Sequence, residues 1–169
     1  QAGFFLWAWR VIVYNGDDIN LSQTLLRIMA KFTYYHPIPL RYGDLDPQGH
    51  VNNAVYLTYV ESARLGYYEA TGIWQKDSGD LTGMVVAHLD IDYLSPITLG
   101  QHIQIGIRLA RIGHKSLTLD FQIELLPEGS VVARGKSVMV AYDNAAQSSR
   151  PFPAEWREKI LQFEEQNGK

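Results

Sequence analysis

Four successive runs between residues 85 and 142 alternate apolar and polar side chains, and that period of two commits this part of the chain to a sheet. VVAHLDIDY sends Val85, Ala87, Leu89, Ile91 and Tyr93 to one face and His88, Asp90 and Asp92 to the other. HIQIGIRLAR alternates Ile103, Ile105, Ile107 and Leu109 against His102, Gln104, Gly106 and Arg108. SLTLDFQIEL does the same through Leu117, Leu119, Phe121, Ile123 and Leu125. The last run, SVVARGKSVMVAY, alternates less, as a more central strand would. The breaks SPITLGQ, RIGHK and PEGS are short and rich in turn formers, which predicts a four-stranded antiparallel meander. A sheet with one apolar face needs a second layer to cover it.

NAVYLTYVESARLGYYEATG supplies that layer. Tyr56, Tyr59, Val60, Ala63, Tyr67 and Ala70 recur at spacings of three and four, giving one apolar stripe on a helix. Asn52 or Asn53 suits the N-cap and Gly72 the C′ stop. Gly66 in mid-helix costs about 1 kcal/mol against Ala, which points to close packing against something flat. Upstream, KFTYYHPIPLR has strand-forming residues, but Pro37 and Pro39 demote it to an edge or bent strand. The chain closes with a polar helical pattern, PAEWREKILQFEEQN. The order predicts an α+β fold in which an antiparallel sheet of about five strands wraps one long central helix. Residues 29–145 are expected to form that domain, and residues 146–169 to pack a C-terminal helix on it. Residues 1–28 are expected to be an N-terminal extension, since Met29 immediately precedes the patterned region; an extra strand and helix is the alternative.

The apolar run FFLWAWRVIVY is interrupted by Arg10 and falls well short of the roughly 20 residues a spanning helix needs. A formal charge of −3 gives no pull toward nucleic acid or an anionic membrane. The chain has no cysteine, which excludes disulfides, thiolate metal sites and a thiol nucleophile and suits a reducing cytoplasm. Nor is there a Gly-x-Ser-x-Gly elbow to present a serine nucleophile.

The chemistry-bearing stretch is RYGDLDPQGHVNNAVYL, just ahead of the central helix. Pro47-Gln48-Gly49 suits a tight turn, Asp44 a cap of that turn, and Asn52 and Asn53 N-caps. His50 suits a hydrogen-bonded structural residue as well as a loop-shaping or water-orienting one. Asp46 is left over, because neither a turn nor a cap needs it. A free aspartate is ionised at neutral pH, ready as a nucleophile or as a weak general base. Elsewhere, Glu61 and Arg64 are helical neighbours expected to pair. His88, Asp90 and Asp92 are expected on an exposed sheet face rather than on a metal. Arg108, Arg111, His114 and Lys115 cluster at a strand turn. Tyr56, Tyr59, Tyr67 and Tyr68 belong to the core pattern.

The motif DLDPQGHVNNAVYLTYVESAR closely resembles the signature of the hotdog-fold acyl-CoA thioesterases of the 4-hydroxybenzoyl-CoA thioesterase type, and specifically the large subgroup with GHVNN. The resemblance spans residues 31 to about 145. It implies a hotdog fold and hydrolysis of an acyl-CoA to free acid and coenzyme A, with Asp46 carrying the chemistry. It further implies that the Asn53 N–H, at the positive end of the helix dipole, points at the thioester oxygen. His50 and Asn52 would support the loop, and Gly49 would let the backbone approach the substrate closely. Basic residues at the strand turn, Lys115 first and then His114 and Arg111, would meet the phosphates of coenzyme A. The family pairs protomers to complete its acyl tunnel, so a homodimer or dimer of dimers is expected, with no metal or prosthetic group. An acyl carrier protein as thioester donor, or acyl-CoA binding without turnover, are the alternatives.

Overall fold

The computed structural model describes residues 31–74 and 83–168. The expected extension over residues 1–28 lies outside the described residues. The element order is β1 (Tyr34–Ile38), a single 3₁₀ turn (Tyr42–Asp44), α1 (Asn53–Ala70), β2 (Met84–Tyr93), β3 (His102–Ile112), β4 (Ser116–Leu126), β5 (Ser130–Asp143), β6 (Ser148–Ser149) and α2 (Ala154–Asn167). Five strands form one antiparallel sheet in the order β1-β3-β4-β5-β2, and the two-residue β6 pairs with the end of β5. One long helix covers the apolar face of that sheet, giving the α+β hotdog architecture.

The strands pair antiparallel as expected, but not as a meander. β2 lies beside β5, not beside β3. The connector of residues 94–101 is long enough for this: eight extended residues reach about 26 Å, and three strand spacings need only about 14 Å. The tight turns behave as read, since β3–β4 and β4–β5 are each joined by three residues. Among the described residues β1, with Pro37 in it, takes the other edge and pairs with β3 alone.

α1 begins at Asn53, with Asn52 as N-cap accepting the Ala54 N–H at 2.9 Å. It ends through Gly72, whose φ of +72° is the left-handed conformation a C′ residue takes. The buried stripe is Tyr56, Tyr59, Val60, Ala63 and Tyr67, joined by Arg64 and Tyr68; Ala70, included by spacing, is exposed. Gly66 meets the sheet: a Cβ there would sit 2.9 Å from the His36 Nδ1 and against the Tyr34 hydroxyl, both on β1. In β2 the alternation holds only over Leu89, Ile91 and Tyr93. A register shift between Val86 and His88 breaks it, so Val85 and Ala87 are exposed rather than facing the core.

α2 is polar in sequence yet firmly docked. Ile160 is fully buried, and the Phe163 ring stands edge-on to Tyr67 at 5.7 Å. A single oxygen, Glu164 Oε1, accepts from the Tyr67 hydroxyl (2.7 Å), the Thr33 hydroxyl (2.9 Å) and the Leu109 N–H (3.1 Å). No helix among the described residues is long and apolar enough to cross a membrane.

Candidate active site

The loop between β1 and α1 closes on itself and then onto the segment before β3. The Asn52 N–H donates to Asp44 O (2.8 Å), Leu45 bridges Val51, and the Asp46 N–H donates to His50 O (2.8 Å). Outside this small hairpin, the Val51 N–H donates to Ile97 O at 2.8 Å and His50 bridges Thr98. At its tip, the Gly49 N–H closes a turn onto Asp46 O at 3.0 Å, with Pro47 in second position. Gly49 takes a φ of +79°, which favours glycine; apart from its chain neighbours, no atom of the described residues lies within 4 Å of where its Cβ would be.

The two aspartates have separate surroundings. Asp44 is buried, as a turn residue, and saturated with donors. Its oxygens accept from the Arg41 N–H (2.9 Å), the Arg41 guanidinium (2.9 and 3.2 Å) and the Tyr59 hydroxyl (2.7 Å). Burial alone would push its carboxyl up; the Arg41 guanidinium, the Tyr59 hydroxyl and the Arg41 N–H outweigh that and hold it below the usual carboxylate range. Asp46 is half-buried. Its Oδ1 accepts the Gln48 N–H (2.8 Å) and the His50 N–H (3.2 Å). The turn therefore uses one carboxylate oxygen, contrary to the expectation that a turn has no need of Asp46. The other oxygen, Oδ2, has no hydrogen-bond partner among the described residues.

His50 contributes its backbone: its carbonyl and N–H hold Asp46, while its imidazole has no partner among the described residues. Asn52 is a cap, and its side-chain oxygen is spent on Ala54. Asn53 is the first helical residue, and its N–H has no acceptor among the described residues. A carboxylate oxygen and a helix-start donor, each without a partner among the described residues, thus lie seven residues apart on one short loop.

Two residues beside the loop were read only as core and strand. Tyr56 is buried, and Tyr93, from the end of β2, stands edge-on to it with centroids 5.0 Å apart. Burial pushes the Tyr56 hydroxyl up, the Ile97 N–H opposes this, and Tyr93 and Asp46 each add an upward push, so all four share one electrostatic neighbourhood. Glu61 pairs with Arg64 at 3.7 Å and is exposed two turns along α1, about 12 Å from the helix start.

The basic turn stands elsewhere. Lys115 donates to Ser149 Oγ at 3.1 Å, tying the β3–β4 turn to β6, and Arg111 and His114 are exposed beside it. Arg157 from α2 joins them by donating to Gly113 O at 2.7 Å, a neighbour that only the fold reveals. Arg108 leaves the cluster: it is buried against Asp120 across β3 and β4, at 3.2 Å. The loop packs at the start of β3 and this turn is at its end, so the length of β3, about 33 Å, separates them within the chain. His88, Asp90 and Asp92 lie exposed along β2; Asp90 Oδ1 accepts the Lys136 N–H and Asp92 faces Arg134 at 3.8 Å. Among the described residues no three His, Asp or Glu side chains converge as a metal site would require.

Comparison with known proteins places the chain in a family. The family model described as the thioesterase-like superfamily matches residues 40–160. The long-chain acyl-CoA thioesterase FadM of Escherichia coli is 34% identical over 126 residues, covering 75% of this chain and 96% of that protein. The chloroplastic acyl-acyl carrier protein thioesterase ATL3 of Arabidopsis thaliana is 28% identical over 134 residues, covering 76% of this chain and 69% of that one. Among solved structures, a Thermus thermophilus thioesterase complexed with coenzyme A and Zn superposes with a TM-score of 0.70 at 34% identity, covering 79% of this chain and 96% of that one. The chain is a thioester hydrolase and belongs to the thioesterase-like superfamily.

Proposed function

We propose that the protein is a cytoplasmic acyl-CoA thioesterase that converts an acyl-CoA and water to a free carboxylic acid and coenzyme A. One observation carries this reading: among the described residues, Asp46 has an oxygen left over from its turn, on a loop that leads directly into a helix whose first N–H has no acceptor. Asp46 Oδ2 attacks the thioester carbonyl, or takes the proton of a water that does; both require a carboxylate oxygen free of other bonds. The Asn53 N–H, with the helix dipole behind it, receives the negative charge that develops on the carbonyl oxygen. Nothing in this chemistry calls for a metal or prosthetic group, and coenzyme A enters as part of the substrate. Likeness to the 4-hydroxybenzoyl-CoA thioesterase type supports the placing of the carboxylate, not an aromatic acyl group. The name of the Escherichia coli relative makes long-chain acyl-CoA the first substrate to try.

The working unit is a twofold dimer through β2. Among the described residues that strand is a ten-residue edge with Val85 and Val86 exposed at 43% and 49%, an edge a lone protomer would have to protect. Antiparallel pairing of β2 with its copy sets the Met84 end of one strand against the Tyr93 end of the other. The basic turn of one protomer then stands at the end of the dimer that carries the other's Asp46 loop. This answers the 33 Å gap within one chain: Lys115, His114 and Arg111 serve the partner's coenzyme A. The test is release of free thiol from a series of acyl-CoA substrates and from acyl carrier protein thioesters. Turnover of acyl-CoA supports the reading; turnover of the carrier-protein thioester alone, or binding of acyl-CoA without turnover, overturns it.

A further inference from the structure

Asn53 is held from two directions. From the loop, the Asn52 N–H donates to Asp44 O at 2.8 Å and the Val55 N–H to Asn52 O at 2.9 Å. These bonds tie the helix start to the same small loop that carries Asp46. The sheet provides the second hold, because Tyr93, the last residue of β2, donates its hydroxyl to Asn53 O at 3.1 Å. Its ring is not free to swing: it stands edge-on to the buried Tyr56 ring, 5.0 Å between centroids and 87° between planes.

The first turn of a helix has the fewest backbone bonds and opens most easily. An oxyanion donor stabilises developing charge only if it is already aimed when the charge appears. The Asn53 N–H shares a rigid peptide plane with the Asn52 C=O, which the Val55 N–H holds. It is joined to the Asn53 C=O through one φ/ψ pair, so a grip on the Asn53 carbonyl restrains the rotation left to the plane that carries the N–H. Misplacement by about 1 Å in such a site costs up to about 10²-fold in rate.

We propose that Tyr93 is a positioning residue for the reaction: its hydroxyl, by gripping the Asn53 carbonyl, anchors the first turn of α1 to the sheet and so aims the Asn53 N–H at the thioester carbonyl. The proposal rests on the reading that Asn53 supplies the oxyanion donor. It assigns the end of β2 a catalytic consequence beyond sheet pairing, and it links the donor to the strand through which the protomers pair.

Tyr93→Phe keeps the ring and its contact with Tyr56 and removes only the hydroxyl. The expected result is a fall in kcat of about tenfold with KM within twofold, an unchanged melting temperature within a few degrees, and an unchanged oligomeric state. Two non-hydrolysable ligands separate aiming from general damage. A ketone analogue of acyl-CoA, which keeps a carbonyl for the donor to meet, should bind several-fold more weakly to Tyr93→Phe. An S-alkyl-CoA thioether, which has no carbonyl, should bind as it does to the wild type. Wild-type kcat in Tyr93→Phe overturns the proposal, and so does a loss of kcat accompanied by equal weakening of both ligands. Asp46→Asn measured in parallel keeps the two readings apart. An inactive Asp46→Asn beside a wild-type Tyr93→Phe removes the Tyr93 proposal alone, and an active Asp46→Asn removes the role of the carboxylate alone.

Discussion

Asp44 and Asp46 differ first in how many donors surround them. Asp44 is buried and takes bonds from Arg41 and Tyr59 on both oxygens, while Asp46 gives only Oδ1 to two backbone N–H groups. The same residue type two positions apart is thereby a strut in one case and, in the proposed reaction, the reagent in the other. Asp44→Asn loses the charge that pairs with Arg41 and should cost about 1–3 kcal/mol, or several degrees in the thermal midpoint. Its pH signature has a definite sign. The folded carboxyl lies below its unfolded value, which is about 3.9, so its stabilisation is complete above about pH 5 and is lost as pH falls through the lowered folded value. Melting curves from pH 7 to pH 3 should show the wild type and Asp44→Asn converging at the acid end. Curves that stay parallel would contradict this.

At the scale of elements, two glycines sit where a Cβ would meet close neighbours, and they should not respond alike. A Cβ on Gly135, in β5, would lie 2.7 Å from the Phe121 ring and collide with the Asp90 carbonyl of β2, which is backbone and cannot step aside. Gly135→Ala should therefore destabilise by at least about 2 kcal/mol through overpacking. Gly66→Ala meets only side-chain ends, on Tyr34 and His36, and also gains helix propensity of about 1 kcal/mol, so its net cost should be the smaller. Denaturant midpoints of the two variants check the order. Much of this layer was legible beforehand: the helix limits at Asn52 and Gly72 and the strand limits of β3 and β4 follow from caps, turn formers and period two. Gly66 was read as close packing, and the structure puts β1 there. What was not legible follows from contacts between distant residues. The connector after β2 is long enough to reach past two strands, so nothing local to it says that β2 lies beside β5. The burial of Arg64 and Arg108 follows from the elements they face, which a local pattern does not encode. In the loop, Asp46, His50, Asn52 and Asn53 were all legible as a group, yet the use of Asp46 Oδ1 by its own turn appeared only with the backbone fold.

For the whole molecule, the length of β3 separates the acidic loop from the basic turn, and the proposed sharing of the site between protomers predicts that activity depends on assembly. Charges of opposite sign placed on the exposed β2 edge, Val85→Glu with Val86→Lys, should halve the mass seen by light scattering. They should also raise KM for acyl-CoA at least tenfold, because the partner's Lys115 turn is lost. A monomer with unchanged kinetics would refute the shared site. The proposed reaction turns on one carboxylate, and Asp46→Asn tests it cleanly, since the amide oxygen still accepts the Gln48 and His50 N–H bonds that hold the turn. The measurement is kcat/KM of the folded, dimeric Asp46→Asn variant on a reactive acyl-CoA. The account predicts a loss of about 10²–10⁴-fold with the melting temperature nearly unchanged, and activity within a few-fold of wild type would contradict it.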